Sequence, residues 1–307
     1  MPSAIFLYEI DPSFGPNILA EYYLDIDHKV PPNILKEFSE KHKDKEFFDV
    51  TTRNEDIRYY SRKVNAESIK KDNFYLGFIL REGEDLLSLK SLFQKFEKSV
   101  VQNYASDKAK MSDVLKNTLN SALSLMEKLK EPTIVKETIN EKTKQLLDEE
   151  KLQEARELID LGEEIPERLS AEVKEGEQFL ANKFYKKAKR SFLKAAELAA
   201  KIQEDEIALF LENKAEQVSN FPDLIKERED LYKVLEQVFH DLESNRLYLY
   251  GDLAEPIDRL LYLSNNLEEE DLIKTLTELK KSTHNATQLA KELYRLDKKI
   301  KELFNKV

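Results

Sequence analysis

Glycine and proline are spread so unevenly along the 307 residues that the chain cannot be built on one plan. Five of the nine prolines (Pro2, Pro12, Pro16, Pro31, Pro32) fall in the first 32 residues, and aromatic residues crowd the first hundred. After Tyr104 only Gly162, Gly176 and Gly251 interrupt about two hundred residues rich in Lys, Glu, Leu and Ala. Turn formers and aromatic rings favour strands and tight connections, whereas long stretches of straight-chain residues favour helix after helix. A chain of this length also exceeds what one ordinary core organises. The expected division is an α+β domain over 1–104 and an all-helical region over 105–307, with the boundary near Ala105.

Within the first part, Ala4 to Ile10 is an apolar, β-branched and aromatic run ending in the turn-rich segment from Asp11 to Pro16, so strand then turn are expected. Asn17 to Asp25 reads as a second strand pairing back. Pro31-Pro32 opens a helix through Ile34, Leu35 and Phe38, which stand at helical spacing. Phe47 to Thr52, Ile57 to Val64 and Phe74 to Leu80 supply three further strands. The middle one puts Arg58, Tyr60 and Arg62 on one face and Ile57 and Tyr59 on the other. The last, FYLGFIL, lacks alternation, which suits a central strand covered on both faces, and its Gly77 marks the close approach of another backbone. From Asp85 to Tyr104 the period becomes helical, with Leu86, Leu89, Phe93, Phe96 and Val100 on one stripe. The expected order is β-β-α-β-β-β-α, a five-stranded antiparallel or mixed sheet with helices.

That order, the opening AIFLYEID, the strand FYLGFIL and the helix LLSLKSLFQKFEKSVVQ resemble a longin-type domain, and roadblock-type domains share much of the layout. The resemblance covers about a third of the chain. It implies a binding platform that associates with similar domains, with small GTPases, or with trafficking and membrane-tethering assemblies, and it carries no catalytic residue.

Further along, Gly176, Phe179, Tyr185, Ala188, Phe192 and Ala195 stand at the spacing of one tetratricopeptide (TPR) repeat, so the segment 170–202 resembles a TPR helix pair. Helix A is expected from Ser170 to Asn182 and helix B from Tyr185 to Ile202. Ala188 and Ala195 allow close approach, while Phe179, Tyr185 and Phe192 fill the groove. A weaker copy lies 33 residues upstream at Leu152, Ala155 and Ile159, and Tyr250-Gly251-Asp252-Leu253 resembles a repeat turn, with Pro256 out of keeping. Helices are also expected over Met111–Lys130, Pro222–Leu242 and Leu272–Phe304, with Pro132, Pro166, Pro222 and Pro256 at first-turn positions. The last helix carries Leu289, Leu293, Leu296, Ile300 and Leu303 or Phe304 at three-to-four-residue steps, a seam for a helix of the same chain or of a partner.

The formal charge of -11 repels a phosphate backbone, so nucleic acid is not an expected partner. No Cys is present, which removes disulfides, thiolate metal sites and a Cys nucleophile and fits a reducing compartment, the cytoplasm. The start of the chain lacks a basic stretch before its short apolar run and reads as a strand rather than a signal peptide. No apolar run is long enough to cross a bilayer, so membrane contact would be peripheral. His28, His42, His240 and His284 lack metal-ligand spacing and are expected at the surface. Acidic runs such as Glu268-Glu269-Glu270-Asp271 suit solvated faces or helix starts, and there is no phosphate-binding glycine motif or GxSxG elbow.

No catalytic, cofactor-binding or metal-ligating residue is therefore assigned, and no cofactor is expected. The sharpest charge feature is the basic run Lys183, Lys186, Lys187, Lys189 and Arg190, with Lys194 one turn on. It suits an acidic peptide or anionic headgroups, or else forms the exposed side of a helix whose Tyr185, Ala188 and Phe192 face inward. The expected function is a non-catalytic adaptor engaging a small GTPase, a trafficking or membrane-tethering complex, or another longin or roadblock domain. A TPR-type peptide-binding scaffold whose first domain dimerises is the alternative, and an enzyme using an unrecognised carboxylate site is a third class.

Overall fold

The computed structural model describes residues 2–24, 29–42, 49–54, 57–81, 85–243, 247–267 and 269–305. These form two compact units, Met1–Ser219 and Asn220–Val307.

The first unit begins with the hairpin β1 (Ala4–Asp11) and β2 (Gly15–Tyr23). Its turn is set by Asp11, whose Oδ1 accepts from the backbone N–H of Ser13 at 2.7 Å and of Phe14 at 2.9 Å, and by Gly15 at φ 84°. Helix α1 (Pro32–Lys41) follows, with Pro32 at its first turn and Ile34, Leu35 and Phe38 buried. Then come β3 (Asp49–Asn54), β4 (Ile57–Lys63), β5 (Phe74–Leu80) and α2 (Leu86–Gln102). The β-β-α-β-β-β-α order is observed, with Asp25 and Phe47–Phe48 of the expected strands outside the described residues. The sheet is wholly antiparallel, in the order β2-β1-β5-β4-β3.

FYLGFIL is buried along its whole length, as a central strand should be. What approaches Gly77 is a ring rather than a backbone: Phe6 is its cross-strand partner, and a Cβ at Gly77 would collide with the Phe6 ring at Cζ and Cε2. One face of the sheet joins Phe6, Tyr8, Tyr59, Tyr75 and Ile79 to Ile34, Leu35 and Phe38 of α1. The other packs Phe78 against Phe93 and Phe96 of α2, with ring centroids 6.5 and 5.0 Å apart. The Arg58, Tyr60 and Arg62 face of β4 lies under α2, with Arg58 and Tyr60 buried and Arg62 stacked 4.6 Å from the Phe93 ring centre.

The change to all-helical structure falls between Gln102 and α3 (Lys108–Lys130), which Asp107 caps. Helix α3 packs on β2 and β1 and is tied to α2 by Ser99 Oγ and Thr118 Oγ1 at 2.7 Å. Next come α4 (Pro132–Asp148), α5 (Leu152–Ala181), α6 (Tyr185–Lys201) and α7 (Asp205–Glu243), whose residues up to Ser219 belong to this unit. Asn213 of α7 donates to the Ser91 carbonyl of α2 at 3.2 Å, so sheet and helical hairpins share one compact body.

Two expectations fail along these helices. Helix A does not start at Ser170, because α5 runs unbroken from Leu152 and joins the expected upstream helix to the next one. Pro132 and Pro256 are in first turns, but Pro166 and Pro222 lie inside α5 and α7. Proline removes one N–H and its i−4 bond, a local loss that tertiary packing of a long helix can outweigh.

The second unit comprises the remainder of α7, a 3₁₀ segment Leu247–Leu253, α8 (Ala254–Asn266) and α9 (Glu270–Phe304). Its core gathers Leu235, Leu253, Ile257, Leu260 and Leu276. Tyr250-Gly251-Asp252-Leu253 is thus a 3₁₀ stretch leading straight into α8, not a repeat turn.

Candidate interaction surface

Helix α5 is clasped by α4 and α6, and glycines mark both contacts. A Cβ at Gly162 would stand 2.9 Å from Ile139 Cγ2 of α4, and one at Gly176 would stand 2.7 Å from Phe192 Cε1 of α6. Both are closer than carbon atoms normally approach, so each glycine is the socket for a side chain of the neighbouring helix. Phe192, Ala188 and Ala195 are fully buried there, while Phe179 and Tyr185 are only half-buried.

The three turns joining α4 to α5, α5 to α6 and α6 to α7 share one backbone design. Glu150, Lys183 and Gln203 adopt left-handed conformations at φ 62°, 61° and 57°. The next residue's N–H then reaches five residues back: Lys151 to the Leu146 carbonyl at 2.8 Å, Phe184 to Phe179 at 2.8 Å and Glu204 to Ala199 at 2.9 Å. This is the Schellman closure, usually made with glycine at the left-handed position. The third turn is also held by charge: buried Glu204 accepts from Lys128 of α3 at 3.3 Å and from Lys142 of α4 at 2.7 Å.

The basic residues lie on the second turn and the outer side of α6. Lys183, Lys186, Lys187, Arg190 and Lys194 are exposed and Lys189 is half-buried. With 3.6 residues per turn, Lys186, Arg190 and Lys194 follow one another along a single stripe, opposite buried Ala188, Phe192, Ala195 and Ala199. Lys187 is shared between the rings of Phe179 at 5.3 Å and Phe184 at 5.2 Å, and Lys194 reaches Glu172 at 3.5 Å. Among the described residues, Lys183, Lys186, Lys189 and Arg190 meet no carboxylate within ion-pair distance. Exposed Phe184 and Leu193 stand among them, so the surface is a cationic ridge with apolar points on an acidic chain.

Two buried polar clusters brace the sheet. Tyr8 OH and Ser61 Oγ are 2.5 Å apart, and His42 Nε2 lies 2.9 Å from the same Oγ, its ring 4.5 Å from that of Tyr75. His42 is therefore half-buried rather than a surface residue, unlike exposed His240 and His284; His28 lies outside the described residues. Ser61 is wholly buried, so this contact ties the C-terminal cap of α1 to β4 within the first unit. On the opposite face Lys90 meets Asp49 at 2.9 Å and Tyr60 donates to Asp49 at 3.2 Å. Burial works against ionising Asp49, but Lys90, with Arg62 and Tyr60, still holds its carboxyl below the usual range. Burial beside Asp49 pushes the Tyr60 hydroxyl well up.

Among the described residues no group of three or more His, Asp or Glu side chains is placed to hold a metal ion, and no helix is long and apolar enough to cross a membrane. A surface depression lined by Asp223, Lys226, Glu227, Asp230, Leu231 and Val234 is formed by α7 alone. The α6 ridge was legible as a basic run, whereas the sockets and left-handed turns that present it carry no sequence signal beyond Gly162 and Gly176. Compared with known proteins, the chain matches no family model, no curated protein and no solved structure.

Proposed function

We propose that this chain is a non-catalytic interaction adaptor, with a longin-like sheet domain as one docking platform and the α6 ridge as a second contact for an acidic partner surface. The observation that carries the reading is the ridge: four cations that meet no carboxylate among the described residues, on the α5–α6 turn and on a helix whose other side is locked into the core, in a protein of net charge -11. Cations left uncompensated while carboxylates are in excess favour an outside ligand of opposite sign and speed its encounter. The sheet order, with α1 on one face and α2 and α3 on the other, supports the longin-like reading and with it a small GTPase or a trafficking component as the class of partner.

Because α2 and the hairpins share one compact body, the test uses the full chain. Immobilised protein and its Lys186→Glu/Arg190→Glu/Lys194→Glu variant are compared for capture of small GTPases loaded with a GTP analogue or GDP, and of acidic peptides. The adaptor reading expects nucleotide-dependent GTPase capture by the parent protein, and loss of acidic-peptide binding in the variant. Peptide capture alone favours the TPR-like scaffold, whose support is the Gly176–Phe192 helix pair. Neither kind of capture would falsify both readings.

A further inference from the structure

Burial along α9 stops partway. Leu276 is in the core, Thr283 is buried, Ala286 and Ala290 are half-buried, and every residue from Lys291 to Asn305 is exposed. Yet Leu289, Leu293, Leu296, Ile300 and Leu303 recur here at steps of four, three, four and three, with exposures of 66%, 52%, 57%, 63% and 54%. The seam expected from sequence is present and no described residue of its own unit covers it. A helix projecting for about fifteen residues is marginal in water unless its apolar face is packed.

The spacing is that of a coiled-coil seam, in which Leu293 and Ile300 take one core position and Leu289, Leu296 and Leu303 the other. The flanking positions then hold Glu292 and Lys299 on one side of the seam, and Ala290, Asp297 and Phe304 on the other. Their charges distinguish the arrangements of two such helices. A parallel pair sets each Glu292 against Asp297 of its neighbour, which is repulsive. An antiparallel pair with Leu293 opposite Leu296 sets Glu292 against Lys299 twice, attractive both times, and Asp297 against neutral Ala290. Sliding that pair by one heptad in either direction sets Lys299 against Lys299 and Asp297 against Asp297, or Glu292 against Glu292. Of the in-register parallel pair and these antiparallel registers, one satisfies both the seam and the charges.

We propose that the exposed part of α9 pairs antiparallel with the same segment of a second copy of this chain, Leu293 of each facing Leu296 of the other and Glu292 facing Lys299. Leu289 then faces Ile300, and Ala286, the small residue where the helix leaves its unit, faces Leu303.

The test is the mass of the full chain in solution from 1 to 100 µM, by sedimentation or light scattering. The parent protein is expected to be a dimer that dissociates on dilution. Leu293→Glu/Leu296→Glu is expected to be monomeric with its core intact, because both side chains are exposed in the single chain, and to lose no more helical circular dichroism than the projecting segment contributes. Glu292→Lys, or Lys299→Glu, should weaken the dimer at least about tenfold, and combining the two should restore it. A parent protein monomeric at 100 µM overturns the proposal, as does a dimer indifferent to Leu293→Glu/Leu296→Glu. A dimer strengthened by Glu292→Lys overturns the antiparallel assignment, because that change relieves the parallel repulsion with Asp297.

Discussion

The Lys214 ammonium on α7 lies 3.2 Å from the Asp85 carboxylate that caps α2 and 3.0 Å from the Ser88 hydroxyl, with the Phe192 ring 5.1 Å away. Its side chain is almost wholly buried, whereas Asp85 is 45% exposed and Glu177 stands 3.6 Å off at the rim. One lysine thus joins the sheet's covering helix to the hairpins. Lys214→Ala should cost about 2 kcal/mol, below the range for breaking a fully buried pair because Asp85 can still be hydrated. Lys214→Met, which keeps the stem against Phe192 and Phe210, should cost less. Urea midpoints of the two variants check the order.

Asp85 and Asp49 should make the first unit acid-sensitive. Partial desolvation by its neighbours opposes ionisation of Asp85, but Lys214 and the bonds from Ser88 hold its carboxyl below the usual range, as Lys90 does for the more buried Asp49. A carboxyl depressed in the folded state stabilises fully above its unfolded value, about 3.9, and that contribution disappears as pH falls through the lower folded value. Stability should therefore hold from neutrality to about pH 5 and then decline on further acidification. Asp49→Asn should flatten the decline, as read from urea midpoints between pH 7 and 3.

Gly77 and Gly176 are both sockets for rings, but of different compliance. Gly77→Ala puts a methyl into the Phe6 ring in the middle of the sheet, where every neighbour is buried. Gly176→Ala meets the edge of Phe192 and gains about 1 kcal/mol of helix propensity in return. We expect Gly77→Ala to lose about 3 kcal/mol and Gly176→Ala about 1 kcal/mol or less. Equal losses in thermal unfolding would show that the sheet yields as readily as the hairpin.

Lys183 holds a left-handed backbone that glycine adopts without strain. Lys183→Gly should raise stability by about 0.5 kcal/mol even though it removes a charge from the ridge, since glycine's greater unfolded entropy offsets part of the relieved strain. A lower melting temperature would place the strain elsewhere.

Much of the first unit could be read from the chain because its signals are local. FYLGFIL is apolar along its length, Asp11 to Pro16 is dense in turn formers, and Leu86, Leu89, Phe93, Phe96 and Val100 recur at helical spacing. The ridge was visible for the same reason, as charges adjacent in sequence. Expectation and structure part where distant partners decide: local spacing puts Pro166 at a helix start, but packing by α4 and α6 carries α5 through it. An isolated histidine is expected at the surface, but Ser61 and Tyr75 on β4 and β5 draw His42 inward.

The sequence by itself determined the strands and helices of the first hundred residues and their order, the helical character of the remainder, and the seam of α9, because periodicity and turn chemistry act over a few residues. Only the tertiary structure decided that β5 lies between β1 and β4, that Gly77 receives Phe6, that Lys214 meets Asp85, and that the α9 seam is left uncovered by the described residues of its own unit. Those facts depend on which surfaces meet across tens or hundreds of residues, and an amphipathic pattern specifies that a face must be covered without specifying by what.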